Sequence, residues 1–394
     1  MQMGAPSGLR LLASDCLQVR HDMTQEGIDM DSRSLIHNLL TRRGAIERVG
    51  LYEHFWPELD QLWGKEAGVA QLAAEFDMRG CGGWFNNEAI EGTSEIVEES
   101  PEWVVKRNGS GASLRWWKHK SGTPEHIEFR MTSRALWEQE YRPHIPTMGK
   151  FSRLEGGPWK GSGTIADDRS TLALARSAGQ WAFYGHVFIW ETLRQSLGDL
   201  ALFENMALDP GWIRDFNRVY TDFYKAQFRL LFDTLGLPDG IWIYEDLGYR
   251  NGLFASPRAY GELIIPFFAE LVDFFHAQGL PVVLHSCGNV TEALPLIVDA
   301  GFDALQPMEV KAGCDPFAFA ERYRDRLAFI GGLDVRFLET NDRTIIRREV
   351  ARLIEGMKAR GARYIFHSDH SVTPLVTLDS YRYALDVYHE HRMY

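Results

Sequence analysis

The chain has 394 residues, 45% hydrophobic and 12% aromatic, enough for one large α/β barrel or two ordinary domains with a sizeable core. A net charge of -12, from 54 acidic against 42 basic side chains, argues against nucleic acid or an anionic membrane as a general partner, while leaving room for a local basic pocket. No apolar run approaches the roughly 20 residues of a spanning helix, and the first 29 residues carry no signal-peptide core. Cys16, Cys81, Cys287 and Cys314 form neither a disulfide framework nor a paired CxxC zinc module, so reduced thiols and a cytoplasmic location are expected.

Residues 1–30 are mixed and without period, and are expected to form a poorly ordered tail. From Asp31 a helix is expected through Leu39 and Leu40, then a short strand over Arg48-Val-Gly-Leu-Tyr-Glu53, then a helix opening at Pro57. Between about 95 and 131 the pattern changes to period two: Trp103 and Val105, Leu114 and Trp116, Ile127 and Phe129 alternate with polar residues. With Asn108-Gly109-Ser-Gly111 and Ser121-Gly-Thr-Pro124 as turns, this stretch reads as an antiparallel meander inserted in a larger domain over residues 31–394.

After Trp181 strands and helices alternate to the end. Asp209-Pro210 and Gly236 bound a long helix by cap, first-turn proline and terminal glycine. Ile241 to Asp246 is a strand, Ser256-Pro257 opens a helix that Pro266 should bend, and Pro281-Val-Val-Leu-His-Ser-Cys-Gly288 is a buried strand with chemistry at its end. Strands follow at Asp303 to Gln306, Leu327 to Asp334 and Tyr364 to His370, with a helix from Thr340 or Asn341 to Gly361 and a last one from about Tyr381 to His389. Successive βα units without a dinucleotide GxGxxG predict a (β/α)8 TIM-type barrel carrying an N-terminal extension that contains the meander.

In such a barrel the active site lies at the C-terminal ends of the strands. Those ends carry Glu53, His186, Glu245 with Asp246, His285 with Cys287, Gln306 with Glu309, Asp334, and His367 with Asp369 and His370. So many titratable groups at one mouth would be costly to bury without a cation among them. His285 and Cys287, two apart in an extended segment, leave the same face and suit zinc, with His370 as the third ligand and Glu245 as a displaceable fourth or a base. Asp369 and Asp334 would orient imidazoles or substrate. Read blandly, His285 and Cys287 are packing and the carboxylates cap helices. Trp56, Trp84 and Phe85 could wall an apolar substrate, though ordinary core is the commoner fate of such aromatics.

The chain resembles the uroporphyrinogen decarboxylase-like superfamily, and within it the zinc-dependent methyltransferases that work with corrinoid proteins or thiols. The resemblance rests on Arg48 to Pro57, Glu245-Asp-Leu-Gly248 with Ser256-Pro257, His285-Ser-Cys-Gly-Asn289, Phe329-Ile-Gly-Gly-Leu-Asp334 and Phe366-His-Ser-Asp-His370, spanning about residue 45 to the end. It implies zinc on His285 and Cys287, with the last-strand ligand, usually Cys, replaced here by His370. That replacement would lower the negative charge on the metal and make it a better Lewis acid. It implies further that methylcobalamin or another corrinoid arrives on a partner protein, since the chain has no Asp-x-His-x-x-Gly cobalamin segment. The arginines with which the decarboxylases of the superfamily hold porphyrinogen carboxylates are missing after Glu53, where His54, Phe55, Trp56, Pro57 and Glu58 stand.

The expected activity is therefore transfer of a methyl group between a methylated small molecule (O-, S- or N-methyl) or a thiol and a corrinoid protein, at zinc held by His285, Cys287 and His370. Glu245, Asp246 and Asp369 would assist the chemistry, and Glu53, Trp56, His186, Gln306, Asp334 and His367 would bind substrate. The rivals are a metal-independent decarboxylase or lyase with Asp246 or Asp369 as general acid, and a binding protein that uses the barrel mouth without turnover. Donor, acceptor, direction and assembly, a homodimer included, are left open by the sequence.

Overall fold

The apolar runs pair side by side in the computed structural model, which describes residues 30–64, 68–120, 122–146, 148–154 and 164–394. The expected N-terminal tail lies outside the described residues, as does Ser121 of the second meander turn. In chain order the strands are β1 (Gly50–Leu51), β2 (Met78–Gly80), β3 (Glu95–Glu99), β4 (Trp103–Arg107), β5 (Ala112–Trp117), β6 (Glu125–Phe129), β7 (Trp181–Val187) and β8 (Gly240–Tyr244). They continue with β9 (Gly248–Tyr249), β10 (Gly252–Leu253), β11 (Val282–His285), β12 (Ala304–Gln306), β13 (Ala328–Ile330) and β14 (Tyr364–Phe366).

Eight of these strands form one sheet in the order β1-β14-β13-β12-β11-β8-β7-β2. Every neighbouring pair in it is parallel. The two edge strands approach each other too, because the Asp77 N–H donates to the Leu51 carbonyl at 2.9 Å and the Leu51 N–H donates to the Asp77 carboxylate at 2.8 Å. This nearly closes the barrel where an open edge would expose unpaired backbone groups. The same carboxylate takes two hydrogen bonds from Arg48, both at 2.7 Å, so a buried ion pair locks the seam. Tyr52, Phe183 and Trp242 pack ring against ring, with Phe183 and Trp242 of the adjacent strands β7 and β8 stacked at 4.9 Å, and this aromatic plug fills part of the space a barrel must fill with side chains.

The helices follow the sequence signals with two differences. The helix expected to bend at Pro266 is two helices, Pro257–Leu263 and Ile265–His276, and Pro266 sits in the first turn of the second, where its missing N–H costs nothing. The cap of Arg343–Ala359 is Asp342, whose side chain accepts from the N–H groups of Thr344 and Ile345, in place of Thr340 or Asn341. Asn341 adopts a left-handed conformation and spends its amide on the Leu375 carbonyl.

The meander is the antiparallel sheet β3-β4-β5-β6. Val105 and Leu114 are buried as expected, but Ile127 is 45% exposed, because β6 lies at the sheet edge. Phe129 attaches the sheet to the helix Ile189–Leu208: at Gly198, a kink with φ of 75°, a Cβ would stand 2.4 Å from the Phe129 ring, so only glycine admits it. No helix of the described residues is long and apolar enough to cross a membrane.

Removing one partner of a buried ion pair strands the other charge. Asp77→Ala is expected to lower the unfolding free energy by about 3 kcal/mol or more, measured by urea denaturation, because Arg48 is only 18% exposed. Asp342→Ala, which removes only a helix cap, should cost about 1 kcal/mol in the same experiment.

Candidate metal centre

β11 ends on His285, and the chain then turns through Ser286 to Cys287 and Gly288. The imidazole is held by one partner: its Nδ1 is hydrogen-bonded to Gln306 Oε1, on the adjacent strand at the register position facing it. Because an amide oxygen only accepts, Nδ1 carries the hydrogen and Nε2 presents its lone pair. That lone pair lies 3.4 Å from Cys287 Sγ and 3.5 Å from Asp246 Oδ1. Asp246 follows β8, the other neighbour of β11, and its Oδ1 accepts the Cys287 N–H at 2.8 Å while Trp190 Nε1 holds its carbonyl at 2.7 Å.

One ligand atom from each of Asp246, His285 and Cys287 lies within 4.8 Å of the others, and among the described residues no other such group of three occurs. Thiol, imidazole and carboxylate are the donors zinc takes, with the second imidazole nitrogen fixed by a carbonyl, as metal-binding histidines usually have it. Burial, helped by the nearby carboxylates of Asp246 and Glu309, pushes the Cys287 thiol well above its ordinary pKa. A thiolate there would need a cation beside it, so the residues fit a divalent metal.

The structure places Asp246, and not His370, beside the pair. His370 faces the same mouth, but its ring stacks on Trp56 at 5.7 Å and 29°, and its backbone carbonyl takes the Ser368 hydroxyl. Asp369, next to it, is buried with one oxygen on the Val335 N–H and the other on the Lys311 N–H, so it ties three strand-end loops together.

Glu245 does not turn to the centre either. Its carboxylate accepts the N–H groups of Phe188, Trp190 and Glu191, capping the helix Ile189–Leu208, and burial pushes its pKa well up. Asp334 caps Val335–Glu339 and pairs with Arg336 at 2.5 Å; burial would raise its pKa, but Arg336 holds it below the carboxylate range. His186 is fully buried, with Nδ1 on the Val187 carbonyl at 2.5 Å and Nε2 on backbone groups of Phe85, so neither nitrogen is open to a substrate; burial lowers its pKa to about 4.

Behind the centre runs a chain of buried polar groups. Gln306 Nε2 lies 3.4 Å from His367 Nε2, and His367 Nδ1 faces the Ser368 carbonyl at 2.5 Å and Glu53 Oε1 at 3.3 Å. His54 Nδ1 reaches His367 Nε2 at 3.4 Å, and Tyr52 O–H reaches His54 Nε2 at 3.0 Å. Burial lowers the His367 pKa to about 3 and raises that of Glu53 to about 8. A protonated Glu53 also resolves the bonding of Ser368. That hydroxyl has one hydrogen, donated to the His370 carbonyl, so its 2.8 Å contact with Glu53 Oε1 is best met by a proton on Glu53.

Two cavities open at the mouth. One, of about 310 Å³, is walled by Tyr52, Trp84, Phe183 and Tyr244 with Asp168 at its rim; Tyr244 stacks on Trp84 at 5.4 Å and touches the His285 ring at 5.2 Å. Phe85, expected in the same wall, is wholly buried against His186. The second, of about 430 Å³, opens directly on Cys287. Sequence reasoning missed Tyr52, His54, Arg250 and Lys311. The first two flank Glu53 at a strand end already singled out, and alternation along that strand was the signal that could have found them.

Residues 241–391 match the model of the uroporphyrinogen decarboxylase (URO-D) family. The resemblance to that superfamily, read from the strand-end motifs, is borne out over this stretch, which carries β8 to β14 and all three residues of the centre. Among solved structures, a methyltransferase from Methanosarcina mazei is similar over 92% of this chain and 99% of its own, with a TM-score of 0.63 and 13% identity, a likeness that shows the fold. A D-allulose 3-epimerase from Methylomonas sp. matches over 60% of this chain and 88% of its own at 16% identity and a TM-score of 0.31, too low to carry an argument. No curated protein matches the chain.

The raised pKa of Glu53 has a definite sign. The folded state holds a proton that the unfolded chain releases near its ordinary value of 4.5, so this contribution to stability is complete below about 4.5 and is lost as pH rises through about 8. Glu53→Gln, a neutral isostere, is expected to match the parent in urea denaturation at pH ~5 and to exceed it at pH ~9. Equal stability at both values would mean that Glu53 is ionised in the folded protein.

Proposed function

We propose that the chain is a zinc-dependent methyltransferase that moves a methyl group between a methylated small molecule or a thiol and a corrinoid carried by a partner protein. The observation that carries the reading is the convergence of Asp246, His285 and Cys287, with the His285 lone pair aimed at the other two by its bond to Gln306. The URO-D match over residues 241–391 and the fold shared with the Methanosarcina mazei methyltransferase support it.

Zinc at this point would supply a Lewis acid that makes a thiol more acidic or polarises the heteroatom carrying the methyl group. The chain's own residues do the rest. Asp246 and Cys287 offer negative donors, His285 a neutral one, and Gln306 fixes the tautomer that lets it donate. Tyr52, Trp84, Phe183 and Tyr244 supply an apolar wall beside His285, from which water is excluded when a substrate fills it. With Asp246 in place of His370 the donor set would carry two negative charges, so the stronger Lewis acidity expected of a His370 site does not apply. The metal-free lyase has less support, because Asp369 spends both oxygens on backbone amides and Asp246 spends one on Cys287.

Elemental analysis of the purified chain tests the reading. About one zinc per chain is expected, lost in His285→Ala and Cys287→Ala and bound at least about tenfold more weakly in Asp246→Asn. Glu245→Gln and His370→Ala should keep the metal. A parent protein without metal, whose activity survives chelation, would sink the proposal.

A further inference from the structure

The cavity on Cys287 is lined by three cations, Arg250, Lys311 and Arg336, and by one carboxylate, Glu309, with Asp334 paired to Arg336, a positive balance in a chain of net -12. Glu309 is largely committed, with Oε2 taking the Gly288 N–H at 2.7 Å and Oε1 3.8 Å from Lys311 Nζ. Arg336 is steadied by Asp334 through Nε and Nη2, which leaves its Nη1 outside that pair. Arg250 makes no ion pair among the described residues. Lys311 is close enough to the centre to weigh on Cys287, Asp369 and His370 alike.

These cations are set in place by the backbone. At Gly288, φ 80°, a Cβ would stand 2.3 Å from Gly248 C and 2.4 Å from Tyr249 N, so the hairpin bearing Arg250 sits directly against the loop of Cys287. The Asn289 N–H donates to the Tyr249 carbonyl at 2.9 Å and clamps the two together. The Lys311 N–H is in turn bound by Asp369 at 3.3 Å. Cations carried on closely packed backbone and lining a concave wall are the arrangement that receives a small anion.

We propose that this cavity is a subsite for the anionic group, a carboxylate, sulfonate or phosphate, of the small molecule that reacts at the Cys287 side of the centre. Arg250 and Arg336 offer hydrogen-bond donors to that group, Lys311 offers a point charge, and the reacting end of the molecule is thereby directed to Asp246, His285 and Cys287. The assignment of the occupant as substrate rests on the methyltransferase reading; the preference for an anion does not.

The test uses the full chain freed of metal by chelation, with iodoacetate and iodoacetamide as matched probes. In both, the Cys287 thiolate displaces iodide and forms a thioether, and only one carries a negative charge. Rates at Cys287 are followed by peptide mass, with Cys287→Ala marking background from other thiols. Taking the ratio of the two rates cancels the acidity of the thiol. The iodoacetate to iodoacetamide ratio is expected to be about tenfold higher at Cys287 than for N-acetylcysteine, and to fall towards the free-thiol value in Arg250→Gln, in Lys311→Gln and in high salt. A ratio at or below that of N-acetylcysteine, or one unmoved by both substitutions, overturns the subsite. Metal content measured on the same preparations separates the two ideas. Zinc-bearing protein with a flat ratio removes the subsite alone, and metal-free protein with a high ratio removes the methyltransferase centre alone.

Discussion

The mouth of the barrel depends on one hydrogen bond, from His285 Nδ1 to Gln306 Oε1. An imidazole can offer a lone pair from only one nitrogen when neutral, and this bond chooses which. Gln306 could make the opposite choice by exchanging its oxygen and nitrogen, so something must fix it in turn. His367 does so: its Nδ1 hydrogen is taken by the Ser368 carbonyl, its Nε2 is left to accept from the Gln306 amide nitrogen, and burial keeps the ring neutral. A charged His367 would turn the amide over, move the hydrogen of His285 to Nε2, and leave Cys287 and Asp246 facing a donor in place of a lone pair. The buried chain from Glu53 to Gln306 is thus a device for holding one tautomer, and its cost in desolvation is offset because nearly every member is hydrogen-bonded.

The barrel and the importance of its strand ends were legible in the sequence because both follow from local pattern. Apolar runs bounded by glycine and proline mark strands, and a polar residue where a run stops falls at the mouth whatever the details of packing. Which of two adjacent residues faces the centre was not legible. Glu245 and Asp246 are neighbours at the end of β8, and sequence offered both. The shorter side chain stays beside Cys287, and the longer one is taken by the three free amides at the start of the next helix. The same competition removed Asp369 and Asp334, whose carboxylates were claimed by backbone N–H groups of adjoining loops. In a parallel barrel every strand leads to a helix that needs a cap, so acidic residues at strand ends have two employers and local sequence does not say which prevails.

His370 shows the limit of reasoning by position. Its place in the chain was that of a ligand, yet the orientation of a residue beyond the end of a strand is set by its neighbours' bonds, here those of Ser368 and Asp369, and by an aromatic surface on another strand's loop. Arg250 and Lys311 escaped attention for the opposite reason. Arg250 lies in a turn and Lys311 in the short 3-10 helix Val310–Ala312, with no hydrophobic period to mark either, and only the folding of the β9–β10 hairpin over the Cys287 loop brings them together.

The contact of Gly288 with Gly248 leaves no room for even a methyl group, so the hairpin and the loop behind it are packed backbone against backbone. On the proposed reading, choosing a substrate and holding an ion, two tasks that could in principle be altered separately, would therefore share one seat. A longer hairpin or a bulkier residue at its base would change what the cavity accepts only by displacing Cys287 as well. Exchanging side chains at Tyr249, Arg250, Lys311 or Arg336 would alter the cavity lining without that displacement.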